Sequence, residues 1–188
     1  MKKKIVLFAS GEGTNAQRII DYFKTSDQIA VTLVVSNKAE ANVLNRAKVA
    51  GISTLLIDRA SFYESDQTID ALKSAGADLI VLAGFLWMIP ENLVKAFPDR
   101  IINIHPALLP KFGGKGMYGM HVHRAVIGAK EKESGISIHY VNEHYDEGRI
   151  ISQHSCTIVE SDTPELLAEK IHGLEYEFFP AAIEKALL

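Results

Sequence analysis

Two polar side chains interrupt an apolar run in the middle of the chain. Residues 101–110 read Ile-Ile-Asn-Ile-His-Pro-Ala-Leu-Leu-Pro, so Asn103 and His105 lie two positions apart in a segment typical of a buried strand. Side chains two apart in a strand point to the same face. Burying either group without a partner would cost about 1–3 kcal/mol. Their pairing therefore favours a functional use over a satisfied pair of core residues.

These residue types supply complementary chemistry. An imidazole carries protons near neutral pH, and an amide is a fixed donor for an oxygen that gains negative charge. Asp146, in the run Tyr-Asp-Glu-Gly at 145–148, is a candidate partner for the His105 imidazole. An Asp two residues before a Gly is most often a turn residue, so this interpretation depends on its distance from His105 in space.

A glycine-containing loop follows the first apolar segment. Residues 10–16 read Ser-Gly-Glu-Gly-Thr-Asn-Ala and open a helix, whose exposed first amides favour a phosphate. The loop also fits the G-x-G-x-x-A dinucleotide pattern. Residues 36–38, Ser-Asn-Lys, lack the acid that a dinucleotide site places after the second strand, although Lys38 would suit a 2′-phosphate. A tight turn with an ordinary cap is the structural alternative.

The surrounding sequence predicts the elements that position these residues. Short apolar segments alternate with segments of helical periodicity through the first half of the chain, at 5–9, 15–23, 31–35, 42–50, 54–57, 61–74, 79–83, 90–97 and 101–104. This alternation predicts an α/β fold, a doubly wound, Rossmann-like and mostly parallel sheet with helices on both faces. Ligands bind beyond the C-terminal ends of such strands, where Asn103 and His105 lie.

The second half follows a different pattern. The glycine-rich residues 111–119 predict a loop, either a mobile lid or a disordered segment, and a short helix follows at 123–129. Alternating apolar and polar residues at 133–141 and 150–159 predict an antiparallel pair at a sheet edge. A long helix follows, capped by Asp162 or Thr163, and Pro180 should kink or end it.

Composition narrows the classes of function. The 188 residues suit a single domain over 1–188, and a net charge of −3 gives no general attraction for nucleic acid or acidic membranes. We expect no membrane-spanning segment, and the lone Cys156 suits a reducing, cytoplasmic environment. His121 and His123 lack a third ligand at metal spacing, so we expect no metal site. An NADP-dependent oxidoreductase and a non-catalytic nucleotide-binding module stay open on these grounds.

Taken together, the motifs resemble the folate-dependent formyltransferases, in their glycinamide ribonucleotide branch. The resemblance covers nearly the whole chain and rests on the loop at 10–15, Ala-Gly-Phe at 83–85, Asn-x-His-Pro-x-Leu-Leu-Pro at 103–110 and Asp-Glu-Gly at 146–148. It implies a sheet of seven strands with one antiparallel strand. It also implies transfer of a formyl group from 10-formyltetrahydrofolate to the glycine amine of glycinamide ribonucleotide in purine synthesis, as a monomer or homodimer.

The resemblance also implies roles for individual residues. His105, Asn103 and Asp146 are the expected catalytic residues, with Asp146 raising the pKa of His105. The expected ribonucleotide site consists of Gly13, Thr14, Asn15, His172, Gly173, Leu174 and Glu175. The expected folate site consists of Leu86, Trp87, Met88, Ile89, Asn103, Asn142, Glu143, His144, Tyr145 and Asp146.

Two positions depart from the family pattern. Many members have Arg where this chain has Trp87 and a basic residue where it has Ser65, so the family's usual contacts to the glutamate tail of the folate are not expected from these positions. Within the family, formyltetrahydrofolate hydrolysis is the closest rival activity. Methionyl-tRNA formylation is a more distant rival, since we expect no basic domain for tRNA.

Overall fold

A seven-stranded sheet forms the centre of the molecule. The computed structural model describes residues 1–188. The strands are β1 (Lys3–Phe8), β2 (Ile29–Ser36), β3 (Ser53–Leu56), β4 (Leu79–Leu82), β5 (Ile101–His105), β6 (Glu133–Tyr140) and β7 (Ile150–Thr157). Their spatial order is β3-β2-β1-β4-β5-β6-β7. Pairs from β3 to β5 are parallel, whereas β6 runs antiparallel to both β5 and β7.

Helices cover both faces of this sheet. They are α1 (Thr14–Phe23), α2 (Asn42–Val49), α3 (Gln67–Ser74), α4 (Glu91–Ala96), α5 (Met120–Gly128) and α6 (Pro164–Leu187). Along β1, Ile5 and Leu7 join the core built with α1, α2, α5 and α6, while Val6 and Phe8 join the core built with α3 and α4. This burial on two faces explains the continuous apolar runs of the strands. The predicted fold class is confirmed.

The order of the strands creates a switch point between β1 and β4. From β1 the chain builds outward to β3, and it then returns to place β4 on the other side of β1. Buried Ser10 ties the loops at this point together. Its hydroxyl donates to Asn37 Oδ1 at 2.6 Å and accepts from the Leu86 N–H at 3.0 Å. The loops after β1, β2 and β4 are therefore fixed to one another where a ligand is expected.

The predicted helix at 61–74 is two elements in the structure. A π-helical turn spans Ala60–Glu64, and α3 begins only at Gln67. Ser65 between them has extended backbone angles, and the Asp66 carboxylate accepts from Asn92 Nδ2 at 3.0 Å. The polar pair at 65–66 thus interrupts the helix that the periodicity predicts.

Pro180 was predicted to kink or end the last helix, and α6 continues through it, so the second alternative was wrong. Pro180 has no N–H to donate to the carbonyl of Tyr176, four residues earlier. Arg18 Nε donates to that carbonyl at 3.3 Å and so replaces the missing partner. The start of α6 is as predicted, because the Thr163 hydroxyl accepts from the Leu166 N–H. None of the helices combines the length and apolarity needed to cross a bilayer.

Candidate active site

The structure places a second imidazole beside the two polar residues of β5. His139 pairs with Asn103 across β5 and β6 and is buried. Its Nδ1 lies 2.9 Å from the Tyr140 carbonyl, and its Nε2 lies 3.2 Å from Asn103 Nδ2. A carbonyl only accepts, so Nδ1 carries the hydrogen and Nε2 accepts from Asn103. His139 therefore fixes the orientation of the Asn103 amide.

The sequence pattern does not distinguish His139 from an ordinary residue of the predicted strand at 133–141. Its imidazole becomes informative once the register between β5 and β6 places it opposite Asn103. The available signal was the two-residue spacing of Ser137 and His139, which puts both on one face of a strand. Both side chains are buried. Burial of two polar side chains on one strand face is expected at a site and not on a face that contacts solvent.

Asp146 lies beside both imidazoles. Its Oδ2 is 3.5 Å from His105 Nδ1, and its Oδ1 is 3.6 Å from His139 Nε2. The Gly114 N–H donates to Oδ2 at 2.9 Å. The backbone of Asp146 is in the left-handed region, with φ at 55°, so this carboxylate is presented from a tight turn. The structure thus brings together Asn103, His105 and Asp146, which the sequence could only place separately.

Burial determines the direction in which the pKa of His105 is shifted. It lowers the pKa of this imidazole below the ordinary value, and the opposing effects of Asp146 and the Phe112 carbonyl do not compensate. Asp146 raises the pKa of His105 as predicted, but the effect of burial is larger, so the net shift is downward. Burial also raises the pKa of Asp146, but His139, His105 and the Gly114 N–H together hold it below the usual range. At neutral pH the pair is a carboxylate and a neutral imidazole.

The glycine-rich segment closes one side of this cluster. His105 Nε2 donates to the Phe112 carbonyl at 2.8 Å, which assigns a hydrogen to Nε2. A side chain at Gly113 would lie 2.5 Å from Leu109 Cδ2 and 3.2 Å from Asp146 Cβ. A side chain at this position would require Leu109 or Asp146 to shift. Phe112 and Gly114 are functional-site contacts that the sequence alone did not indicate.

The start of α1 forms a second polar region. Gly13 has φ at 70°, and a Cβ there would lie 2.5 Å from Val43 Cβ, so only glycine suits this close approach. Asn15 Nδ2 donates to Glu175 Oε2 at 2.7 Å, which joins α1 to α6. Burial raises the pKa of Glu175 despite opposing effects of Asn15 and His172. The first N–H groups of α1 and a buried carboxylate with raised basicity therefore lie together.

One cavity of about 630 Å³ connects these two regions. This volume lies in the range of small-molecule sites. Most of the predicted site residues line it, namely Gly13, Thr14, Asn15, Leu86, Trp87, Met88, Ile89, Asn103, His105, Asn142, His144, Tyr145, Asp146, His172 and Glu175. The cavity thus runs from the α1 terminus, past the end of β5, to the loop after β4.

Three predicted site residues, Gly173, Leu174 and Glu143, do not line this cavity. His172 and Glu175 are three apart on α6 and share a face, which turns Gly173 and Leu174 away. Leu174 packs instead against the apolar core, and Gly173 is exposed. Glu143 is exposed in the turn between β6 and β7.

His121 and His123 also line the cavity, but the structure contains no group of three metal-ligating side chains. His123 is only 3% exposed, and its Nδ1 has no hydrogen-bond partner. Burial, with the neighbouring His172 and His105, lowers its pKa to about 4. A neutral, buried imidazole therefore adjoins the site.

His123 should make the stability depend on pH. Between about pH 6.5 and 4 the unfolded chain protonates this histidine and the folded protein does not, so the free energy of unfolding should fall as pH falls, by up to about 1.4 kcal/mol per pH unit. Urea unfolding at pH 7, 6 and 5 measures this slope. His123→Gln should flatten it, whereas His121→Gln, at an exposed position, should not. Equal slopes in all three proteins would contradict the assignment.

Comparisons with known proteins agree with this geometry. The family model described as formyl transferase matches residues 3–183. The protein of Arabidopsis thaliana named phosphoribosylglycinamide formyltransferase, chloroplastic, is 41% identical over 95% of this chain and 63% of its own length. A protein of Bacillus subtilis named phosphoribosylglycinamide formyltransferase is 35% identical over 98% of this chain and 95% of its own length.

Solved structures give the same result. The crystal structure of phosphoribosylglycinamide formyltransferase from Bacillus halodurans has a TM-score of 0.89 and 38% identity, over 98% of this chain and 95% of that one. Against the plant relative the chain spans less than two thirds of the length, whereas it spans nearly all of the bacterial one. The resemblance found from the motifs is confirmed, and the chain belongs to the formyl transferase family and, within it, to the phosphoribosylglycinamide formyltransferases.

Proposed function

We propose that this protein transfers a formyl group from 10-formyltetrahydrofolate to the glycine amine of glycinamide ribonucleotide, a step of purine synthesis. The observation that carries the proposal is the single cavity that joins the α1 terminus to the cluster of Asn103, His105 and Asp146. The cavity then offers a phosphate-binding end for the ribonucleotide, an oxyanion-binding centre for the formyl group and an apolar wall for the folate. These follow one another in the order that the reaction requires.

The ribonucleotide binds at the α1 end of the cavity. Its phosphate accepts hydrogen bonds from the free N–H groups at residues 13–15, where the helix dipole also favours negative charge. Glu175 accepts from the substrate amine, and Asn15 holds this carboxylate in place at 2.7 Å. The raised pKa of Glu175 brings its basicity closer to that of an amine, which suits a group that orients the nucleophile.

The folate binds at the opposite end, along residues 86–89 and 142–146. This wall combines apolar side chains with backbone groups. The formyl carbon then lies over the end of β5, between the folate and the amine. No covalent intermediate with the protein is required, because both substrates reach the same point.

The amine attacks the formyl carbon directly in the proposed mechanism. The new N–C bond converts the formyl oxygen into an oxyanion, which accepts from Asn103 Nδ2 and from His105 Nε2. To donate, His105 exchanges the Phe112 carbonyl, now 2.8 Å away, for this oxygen. The bond from carbon to the folate nitrogen then breaks. That nitrogen gains the proton that the amine loses, through His105 or a water held by Asp146.

An absorbance assay of the folate product tests this function directly. The purified protein, given 10-formyltetrahydrofolate and glycinamide ribonucleotide, should release tetrahydrofolate, and the formylated ribonucleotide should appear in equal amount. Without the ribonucleotide the donor should persist. Consumption of the donor without the amine would support hydrolysis instead, and a stable donor in both mixtures would contradict formyl transfer altogether.

A further inference from the structure

Apolar side chains are exposed where the cavity opens beyond β4. Leu86 is 49% exposed, Met88 37% and Tyr145 41%, although each lines the cavity. Trp87 lies among them and also faces the cavity. Exposed apolar groups that are contiguous with a binding pocket indicate a surface that a ligand covers.

The guanidinium of Arg59 lies beside Trp87 at this surface. Arg59 Cζ is 5.3 Å from the centre of the Trp87 ring and 5.9 Å from that of Tyr63. The Tyr63 hydroxyl donates to the Met88 carbonyl at 2.9 Å, which ties this aromatic pair to the cavity wall. Stacking on two aromatic rings holds the guanidinium in place without neutralising its charge.

Arg59 has no hydrogen-bond or carboxylate partner within the protein. Arg18, Arg46 and Arg100 each donate to a backbone carbonyl, and Arg149 approaches the Asp99 carboxylate at 4.0 Å. None of the ion pairs in the structure includes Arg59. Its planar set of N–H donors is therefore available to an external carboxylate.

Arg59 also lies close to both positions where this chain departs from its family, Ser65 and Trp87. Ser65, at a position that is basic in many members, donates from its hydroxyl to the carbonyl of Ala60, the residue next to Arg59. Trp87, at the other departing position, stacks with Arg59 itself. Arg59 thus places a cation beside both of these positions.

We propose that Arg59, held by Trp87 and Tyr63, binds the negatively charged glutamate tail of the formyl donor. The inference rests on the proposed function, because it assumes a folate in the cavity. The aromatic linker of such a donor covers the exposed apolar side chains, and its terminal carboxylate meets the guanidinium. Arg59 is then a specificity residue for the tail and takes no part in the chemical step.

Steady-state kinetics with two donors tests this assignment. Arg59→Gln should raise KM for 10-formyltetrahydrofolate roughly tenfold, the order expected for one hydrogen-bonded charge, with kcat unchanged. With 10-formyltetrahydropteroate, which lacks the glutamate, the variant and the wild type should have equal KM. Arg100→Gln is the matched control, since Arg100 stacks on Phe97 outside the cavity. An unchanged KM in Arg59→Gln, or an equal rise with both donors, would overturn the inference.

Fluorescence separates this inference from the proposed function. Trp87 is the only tryptophan, so its emission reports binding at this surface whether or not transfer occurs. Unreactive 5,8-dideazafolate should quench it at roughly tenfold lower concentration in the wild type than in Arg59→Gln, and a glutamate-free analogue should not distinguish them. If formyl transfer is absent but wild type and Arg59→Gln still differ in the concentration that quenches the emission, only the proposed function is contradicted. Transfer without the difference would contradict only the role of Arg59.

Discussion

His105→Ala is expected to lower kcat by about three orders of magnitude. The substitution removes an oxyanion donor, which typically contributes a factor of about 10²–10³ to kcat. It also removes a proton carrier, which contributes a factor of about 10²–10⁴, although the two effects are not additive. KM for glycinamide ribonucleotide should change little, because the proposed phosphate and amine contacts lie at the α1 end of the cavity. Single-turnover measurement with both substrates saturating isolates the chemical step.

Two further variants make this test specific. His105→Gln keeps an N–H donor but cannot carry a proton, so it should recover about tenfold over the alanine variant. His154→Ala is the matched control, because His154 stacks on Phe178, with 3.7 Å between ring centres, and does not line the cavity. It should retain wild-type kcat. Turnover of folded His105→Ala within tenfold of the wild type would exclude the proposed role.

The positions of Asn103, His105 and the loop at 10–15 could be predicted from the sequence because the patterns that reveal them are local. Asn103 and His105 interrupt an apolar run at period two, and that spacing by itself places both side chains on one face. The loop at 10–15 likewise shows its glycines and helix start within a few residues. In each case the physical constraint acts over a single turn or strand, so no knowledge of the tertiary arrangement is needed.

Contacts between distant segments did not follow in the same way. Asp146 reaches His105 only because β6 runs antiparallel beside β5, and the turn after β6 returns the carboxylate to the end of β5. The same register gives His139 its contact with Asn103. The direction of the His105 pKa depends on how much solvent the surrounding residues exclude, which no sequence motif reports.

Asp146→Asn is expected to lower kcat by about 10²–10³ while leaving the shape of the site intact. The carboxylate opposes the effect of burial on His105, so its removal should lower the pKa of this imidazole further. Any positive charge that develops on His105 during proton transfer then lacks a counter-charge. NMR titration of the His105 imidazole should give a pKa below the ordinary 6.5 in the wild type and a lower one in Asp146→Asn.

The pH dependence of the free energy of unfolding tests the same substitution independently of its activity. Because the folded-state pKa of Asp146 lies below its ordinary value, the ionised carboxylate stabilises the fold at neutral pH, and this contribution is lost as pH falls through the folded-state pKa. The difference in free energy of unfolding between wild type and Asp146→Asn should therefore shrink toward pH 3. Asp99→Asn is the matched control, since Asp99 also has a left-handed backbone, with φ at 52°, but forms only an exposed pair with Arg149. If Asp146→Asn kept wild-type kcat and left the His105 pKa unmoved, the carboxylate would have no part in the chemistry, and the histidine would have to act without it.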